Sequence, residues 1–240
     1  MLTTGLHWPA CALNRAPAPS RELMPPARVV GTPRDQLPSD RFDILEERVV
    51  HQRYLTLYDR VVRYPEGNVH SFDVVGHPAA DFHFCVVFAF HPSPSGRLAD
   101  GQVTMLTEYA QGPNCIMHCL PSGSYDPQKH TSWEACARAE LSEEAHLEGG
   151  TWHCLLPAGH VGVPETKWCA NRFTPFLCIG PRPAMQPRPR DAEESTIQVL
   201  SVSVSKLREL MGAGTMLLPS LATCQWALTR LEAVHATLPA

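Results

Sequence analysis

Three carboxylates at helical spacing are the residues of this chain with the clearest capacity for chemistry. Glu140 and Glu144 are four apart, and Glu143 is three from Glu140. On a helix they share neighbouring faces. Like charges at that spacing repel at neutral pH, at a cost of about 0.2–0.5 kcal/mol per exposed pair. A divalent cation removes the repulsion, and Mg²⁺ prefers hard oxygen ligands of this type. The same three residues also read as a plain solvated acidic face.

The surrounding sequence supplies the elements that would position them. Thr131 and Glu134 form a Thr-x-x-Glu capping box, which predicts a helix starting near Ser132. Trp133, Ala137, Leu141 and Ala145 recur every four residues and give that helix one apolar stripe. His146 falls at or just after its C-terminus, where an imidazolium interacts well with the dipole. Upstream, Arg53–Val62 is rich in β-formers, Pro65-Glu-Gly67 is a turn and Val69–Val75 is the returning strand of a hairpin. Phe82, Phe84, Val86, Phe88 and Phe90 alternate, but Cys85, Val87 and Ala89 make the other face apolar too. That pattern predicts a strand covered on both sides. Val103–Tyr109 is a further strand, and Thr151–Leu156, Arg172–Ile179 and Thr196–Val204 return to strands after the helix. A Pro- and Arg-rich loop spans Gly180–Arg190. Ser205–Met211 reads as a short helix ended by Gly212, and Ser220 as the cap of a final helix striped by Leu221, Cys224, Leu228 and Leu231. Strands flanked by helices predict a layered α/β/α domain.

Two runs around the acidic helix carry a resemblance. Pro121-Ser-Gly123, a short loop and then Ala139-Glu-Leu-Ser-Glu-Glu-Ala-His-Leu147 resemble the Nudix box. Leu106-Thr-Glu-Tyr109, His118-Cys-Leu-Pro-Ser-Gly123 and Arg53-Tyr-Leu-Thr-Leu-Tyr58 resemble the flanks found in the ADP-ribose and ADP-sugar pyrophosphatase branch of that family. The chain departs from the pattern at five places. Ala139 stands at the box arginine, with Arg138 one residue earlier, and His146 stands at the late glycine. Thr131 falls at the first box Glu, Ala110 replaces an Arg and Cys119 replaces a Glu.

The resemblance implies a Nudix-like α/β/α sandwich with a mixed sheet and an N-terminal β-hairpin extension over residues 42–240. It implies an Mg²⁺-dependent (or Mn²⁺-dependent) hydrolase that cleaves the phosphoanhydride of a nucleoside diphosphate derivative, of ADP-ribose or ADP-sugar type. Such cleavage needs a metal at the phosphate oxygens, a positioned water and a base for its proton. Glu140 and Glu144 are then the metal ligands, assisted by Glu143 and by the backbone carbonyl of Ser122. Catalysis rests on Glu144 and on a general base from the later loop, Glu193 or Glu194, with Glu165 a lesser candidate. Arg53, Arg60 and Lys167 are candidates for pairing with phosphate, and Trp168 or Tyr58 for stacking on a base. A homodimer through the N-terminal strands is a further expectation. The departures at Ala139, Thr131 and Ala110 motivate an alternative from another class, a Nudix-fold nucleotide-binding or scaffold protein that has lost turnover.

Composition bounds the rest. Of 240 residues, 44 % are hydrophobic and 18 % charged, values of a soluble globular protein with length for a sizeable core. A net charge of −4 gives no basic stripe for nucleic acid, and no apolar run approaches the roughly 20 residues of a membrane span. The Cys count of 9, scattered without CxxC pairs, predicts reduced thiols in an intracellular, cytoplasmic or organellar, compartment. Cys115, His118 and Cys119 lack a second ligand pair with zinc spacing, so buried thiols are expected there. Residues 1–41 are rich in Pro and Ala, carry Arg15, Arg21 and Arg28, and read as a disordered tail or an organellar transit segment.

Overall fold

A computed structural model describes residues 42–190 and 192–237. The segment 1–41, expected as a tail or transit sequence, lies outside the described residues.

Three antiparallel strands come first: β1 (Asp43–Gln52), β2 (Thr56–Arg63) and β3 (Val69–Gly76), paired in the order β1-β2-β3. The expected hairpin is β2–β3. Its turn closes with the Tyr64 N–H donating to the Asn68 carbonyl at 2.8 Å, and Gly67 supplies the φ of +90° the turn requires. β1 is an additional strand. Its sequence lacks period-two alternation; it pairs with β2 along its whole length, and two ion pairs cross the strands, Arg48 to Asp59 at 2.6 Å and Arg60 to Glu47 at 2.5 Å.

The remaining elements are β4 (His83–His91), β5 (Gln102–Ala110), β6 (Cys115–Cys119), β7 (Ser122–Ser124), α1 (Trp133–Ala145), β8 (Leu147–Glu148), β9 (Thr151–Cys154), β10 (Val163–Pro164), β11 (Arg172–Ile179), β12 (Arg182–Pro183), β13 (Gln198–Ser203), α2 (Val204–Gly212) and α3 (Leu218–Thr237). Eight of these strands build a mixed sheet along the path β10-β11-β4-β5-β13, with β6, β7 and β9 paired to β5, β4 and β11, while β8 and β12 pair separately. Within it β11 and β4 run parallel.

β4 is the centre of the molecule, and its two faces explain the layering. Val86, Phe88 and Phe90 join Leu207, Cys224, Leu228 and Leu231 of α2 and α3. Cys85, Val87 and Ala89 join Cys136, Ala137, Leu141 and Ala145 of α1. All six strand residues are buried, so the two-sided strand read from the sequence is the middle layer of an α/β/α sandwich. Small side chains on the α1 face let that helix lie close to the sheet. Tyr58, a candidate for base stacking, is instead buried beside Phe82. Ser220 sits inside α3 rather than capping it; its hydroxyl accepts the Leu120 N–H at 3.0 Å. Each described cysteine is a free thiol; Cys119 is buried as expected, whereas Cys115 is exposed. No described helix is long and apolar enough to cross a membrane.

Candidate active site

The acidic helix begins one residue later than the capping box implied. Ser132 is the N-cap, its hydroxyl accepting the Ala135 N–H at 3.1 Å, and Glu134 instead pairs with Arg138 one turn on. The helix ends at His146, which adopts the left-handed conformation (φ 56°, ψ 37°). Its ring Nδ1–H donates to the Ser142 carbonyl at 3.3 Å, serving one of the orphan carbonyls of the last turn.

Between those ends the apolar stripe sets the rotation of the helix. Ala137, Leu141 and Ala145 are buried against the sheet, which brings Glu140 and Glu144 inward as well, at 9 % and 3 % exposure. Glu143 turns to the rim, where Arg188 pairs with it at 3.1 Å. Arg138 lies on the outer side, 4.6 Å over the Trp152 ring, and Ala139 is buried.

A second segment closes over the carboxylates. Residues 120–124 are held by Leu120 bonding to α3, by the Val87 N–H donating to the Pro121 carbonyl at 2.8 Å, and by β7 pairing with β4. The Ser122 N–H then donates to Glu144 Oε2 at 2.7 Å. Gly123 lies so near Glu140 that a Cβ there would stand 2.2 Å from the carboxyl carbon, so any side chain at 123 would displace that carboxylate. The third carboxylate arrives from a one-turn 3₁₀ helix, Ala192–Thr196, placed before β13. Ligand oxygens of Glu140, Glu144 and Glu194 all lie within 4.8 Å of one another. Burial, and then the charge of Glu140, push the Glu144 carboxyl well above its ordinary range, and the Ser122 N–H only partly offsets this.

These groups form the floor of a cleft of about 650 Å³. Its walls include Tyr54, His77, Tyr109, Lys129, His130 and Arg188. Glu140, Glu143, Glu144, Glu194 and Ser122, singled out from the sequence, all line it. The Glu193 side chain lies outside the described residues. The expected phosphate contacts are not among the lining residues: Arg60 is engaged with Glu47, Lys167 is exposed, and Arg53 is exposed beside the wall residue Tyr54. Glu165 also lies off the walls, accepting from Asn171 Nδ2 at 3.3 Å. Trp168 is exposed on the same segment and is likewise not among the lining residues. Sequence reasoning missed Lys129, His130 and Arg188, since single basic residues carry no spacing signal. The alternation of Arg188 and Arg190 in the Pro-rich loop was the one available hint.

No protein-family profile matches this chain, and no curated protein does. Among solved structures, one described as the crystal structure of an ADP compounds hydrolase matches with a TM-score of 0.60 and 13 % identity, covering 83 % of this chain and 98 % of that one. At that identity the likeness is one of fold. The sandwich around β4 is therefore a Nudix-like mixed α/β fold, the architecture that the Pro121–Leu147 run resembles.

Proposed function

We propose that the protein is a divalent-cation-dependent hydrolase cleaving the phosphoanhydride bond of a nucleoside diphosphate derivative, of ADP-ribose or ADP-sugar type. One observation carries this reading: three carboxylates converge within 4.8 Å on the floor of a large cleft, two of them buried. The ADP compounds hydrolase of like fold supports it.

The donor set fits a hard cation. It offers carboxylate oxygens without sulfur or imidazole, it is pre-packed against Gly123, and its mutual repulsion is relieved by a 2+ charge. Glu140, Glu144 and Glu194 would hold Mg²⁺ or Mn²⁺, with the Ser122 carbonyl as a further ligand. When bound, the cation supplies charge neutralisation at the phosphate oxygens. The Ser122 N–H keeps the Glu144 carboxylate turned toward the cluster. Glu194 has two oxygens, so it can offer one to the cluster and accept the proton of the attacking water on the other; Glu193 beside it is the second candidate base. Lys129 and Arg188 furnish positive charge at the walls for the diphosphate, and exposed Tyr54 and Tyr109 furnish rings for a base. Exposed Val49, Val50 and Phe72 on the three-stranded sheet support a homodimer through that sheet.

A nucleotide-binding protein without turnover is the second reading. It is favoured by Ala139 being buried at the box arginine position, while Arg138 is engaged with Glu134 and with the Trp152 ring. Turnover of a panel of nucleoside diphosphate sugars with Mg²⁺ separates the two. The parent should cleave at least one member, and Glu144→Gln should lose about 100-fold or more of kcat. Folded parent that cleaves none, yet is raised in Tm by nucleotide, is the binding protein.

A further inference from the structure

We infer that Arg190 is a positioning residue that assembles the cation site from two separate chain segments, an inference that rests on reading Glu140, Glu144 and Glu194 as that site. Glu140 and Glu144 are set by one rigid helix. Glu194 follows a Pro- and Arg-rich run with no long helix or strand to place it. Arg190 bridges the gap. Its Nε and Nη2 donate to the Glu144 carbonyl at 3.2 and 2.5 Å, and its Nη1 donates to the Ile197 carbonyl at 3.0 Å.

Both acceptors suit that task. The Glu144 carbonyl belongs to the last turn of α1, where no intrahelical donor reaches it and the dipole favours a cation. Ile197 is buried in the core beneath α1, and its N–H donates to the Glu194 carbonyl at 3.0 Å. One planar guanidinium thus fixes the end of the helix relative to the turn that carries Glu194. Glu144 takes part twice, through its carbonyl to Arg190 and its carboxylate to the cluster. Two neighbouring contacts seat the same loop, Ala184 N–H to the His146 carbonyl at 2.9 Å and Arg188 to Glu143. Neither reaches the segment after residue 190. A lysine, a point charge on a flexible stem, cannot span two carbonyls in this forked way.

The test is Mn²⁺ binding to the full chain without nucleotide, followed by electron paramagnetic resonance or calorimetry. The variants are Glu140→Gln, Glu194→Gln, Arg190→Lys, Arg190→Ala and the double variant Glu194→Gln/Arg190→Ala. Glu194→Gln and Arg190→Ala should each weaken binding about tenfold or more. The double variant should be no weaker than either alone, because Arg190 acts through Glu194. Arg190→Lys should keep the fold yet bind weakly, which covers the case of Arg190→Ala failing to fold. Parent-like binding by Arg190→Lys and Arg190→Ala overturns the positioning role and leaves the cation site standing. Losses that add in the double variant overturn it too, since Arg190 would then act independently of Glu194. Parent that binds no Mn²⁺, or binding indifferent to Glu140→Gln, removes the cation site and the inference together.

Discussion

The contact between Gly123 and Glu140 shows how closely the site is determined by single atoms. A methyl group at residue 123 would occupy the space of the Glu140 carboxylate, which would have to shift from its present place. Gly123→Ala should therefore weaken Mn²⁺ binding about tenfold while leaving helical circular dichroism unchanged. Glu144 makes a second prediction at this scale. Its folded pKa is raised by burial and by Glu140, so in cation-free protein its contribution to stability falls as pH rises from the ordinary carboxylate range through the raised value. A cation needs the charged form and removes that penalty. The Mg²⁺-induced rise in Tm should then grow as pH rises through the raised value and shrink on acidification, and Glu144→Gln should weaken this pH dependence. Glu140 and Glu144 were legible from their spacing, because a helix converts a four-residue interval into proximity. Arg53, Arg60 and Lys167 had no such interval, and none of the three is among the lining residues of the cleft.

At the scale of elements, α1 and β4 carry the site, and each was readable because its apolar residues repeat with the period of its structure. What periodicity did not contain is the N-terminal end of their interface. His83, the first residue of β4, is buried; it bonds to Thr174 Oγ1 at 2.9 Å and stacks on Trp133 of α1 at 3.9 Å. Burial, and secondly the charge of Arg172, push its pKa down to about 4. The unfolded chain binds a proton near 6.5, so between those values the unfolded state is favoured by protonation. Stability from neutral His83 is complete above the unfolded value and is lost as pH falls toward the folded one, on the order of 3 kcal/mol at most. Urea unfolding at several pH values should show a steeper loss below pH 6.5 for the parent than for His83→Gln, with matching slopes above it. Equal slopes throughout would mean that His83 does not titrate differently in the two states.

At the scale of the whole molecule, the three-stranded sheet is tied to the sandwich by segment 165–171. The Val75 N–H donates to the Trp168 carbonyl at 3.0 Å, and the Ala170 N–H to the Val75 carbonyl at 2.7 Å. The His77 N–H donates to Asn171 Oδ1 at 2.8 Å. This attachment brings Tyr54 and His77 to the cleft, with their rings 4.3 Å apart. Arg60 works inside the sheet: the Glu47 side chain it pairs with is only 3 % exposed. Arg60→Ala should lower stability by about 1–3 kcal/mol through the deprived Glu47 carboxylate, and leave Mn²⁺ affinity within twofold of the parent. A change in affinity without a change in stability would return Arg60 to the site.

Local signals in the sequence were enough for the acidic helix, the two-faced central strand, the β2–β3 hairpin and the layered α/β/α class. Each of these depends on interactions among residues close in the chain, where backbone geometry turns spacing into direction. Thr131 against Ser132 as the cap was a matter of one hydroxyl's reach, and Ser220 left the capping role because a backbone N–H a hundred residues earlier needed an acceptor. Only the tertiary structure brought Glu194 to Glu140 and Glu144, set which basic groups line the cleft, and showed that an arginine ties the two segments together. Those pairings join residues far apart in sequence, and their positions are set by how the sheet folds the intervening chain back on itself.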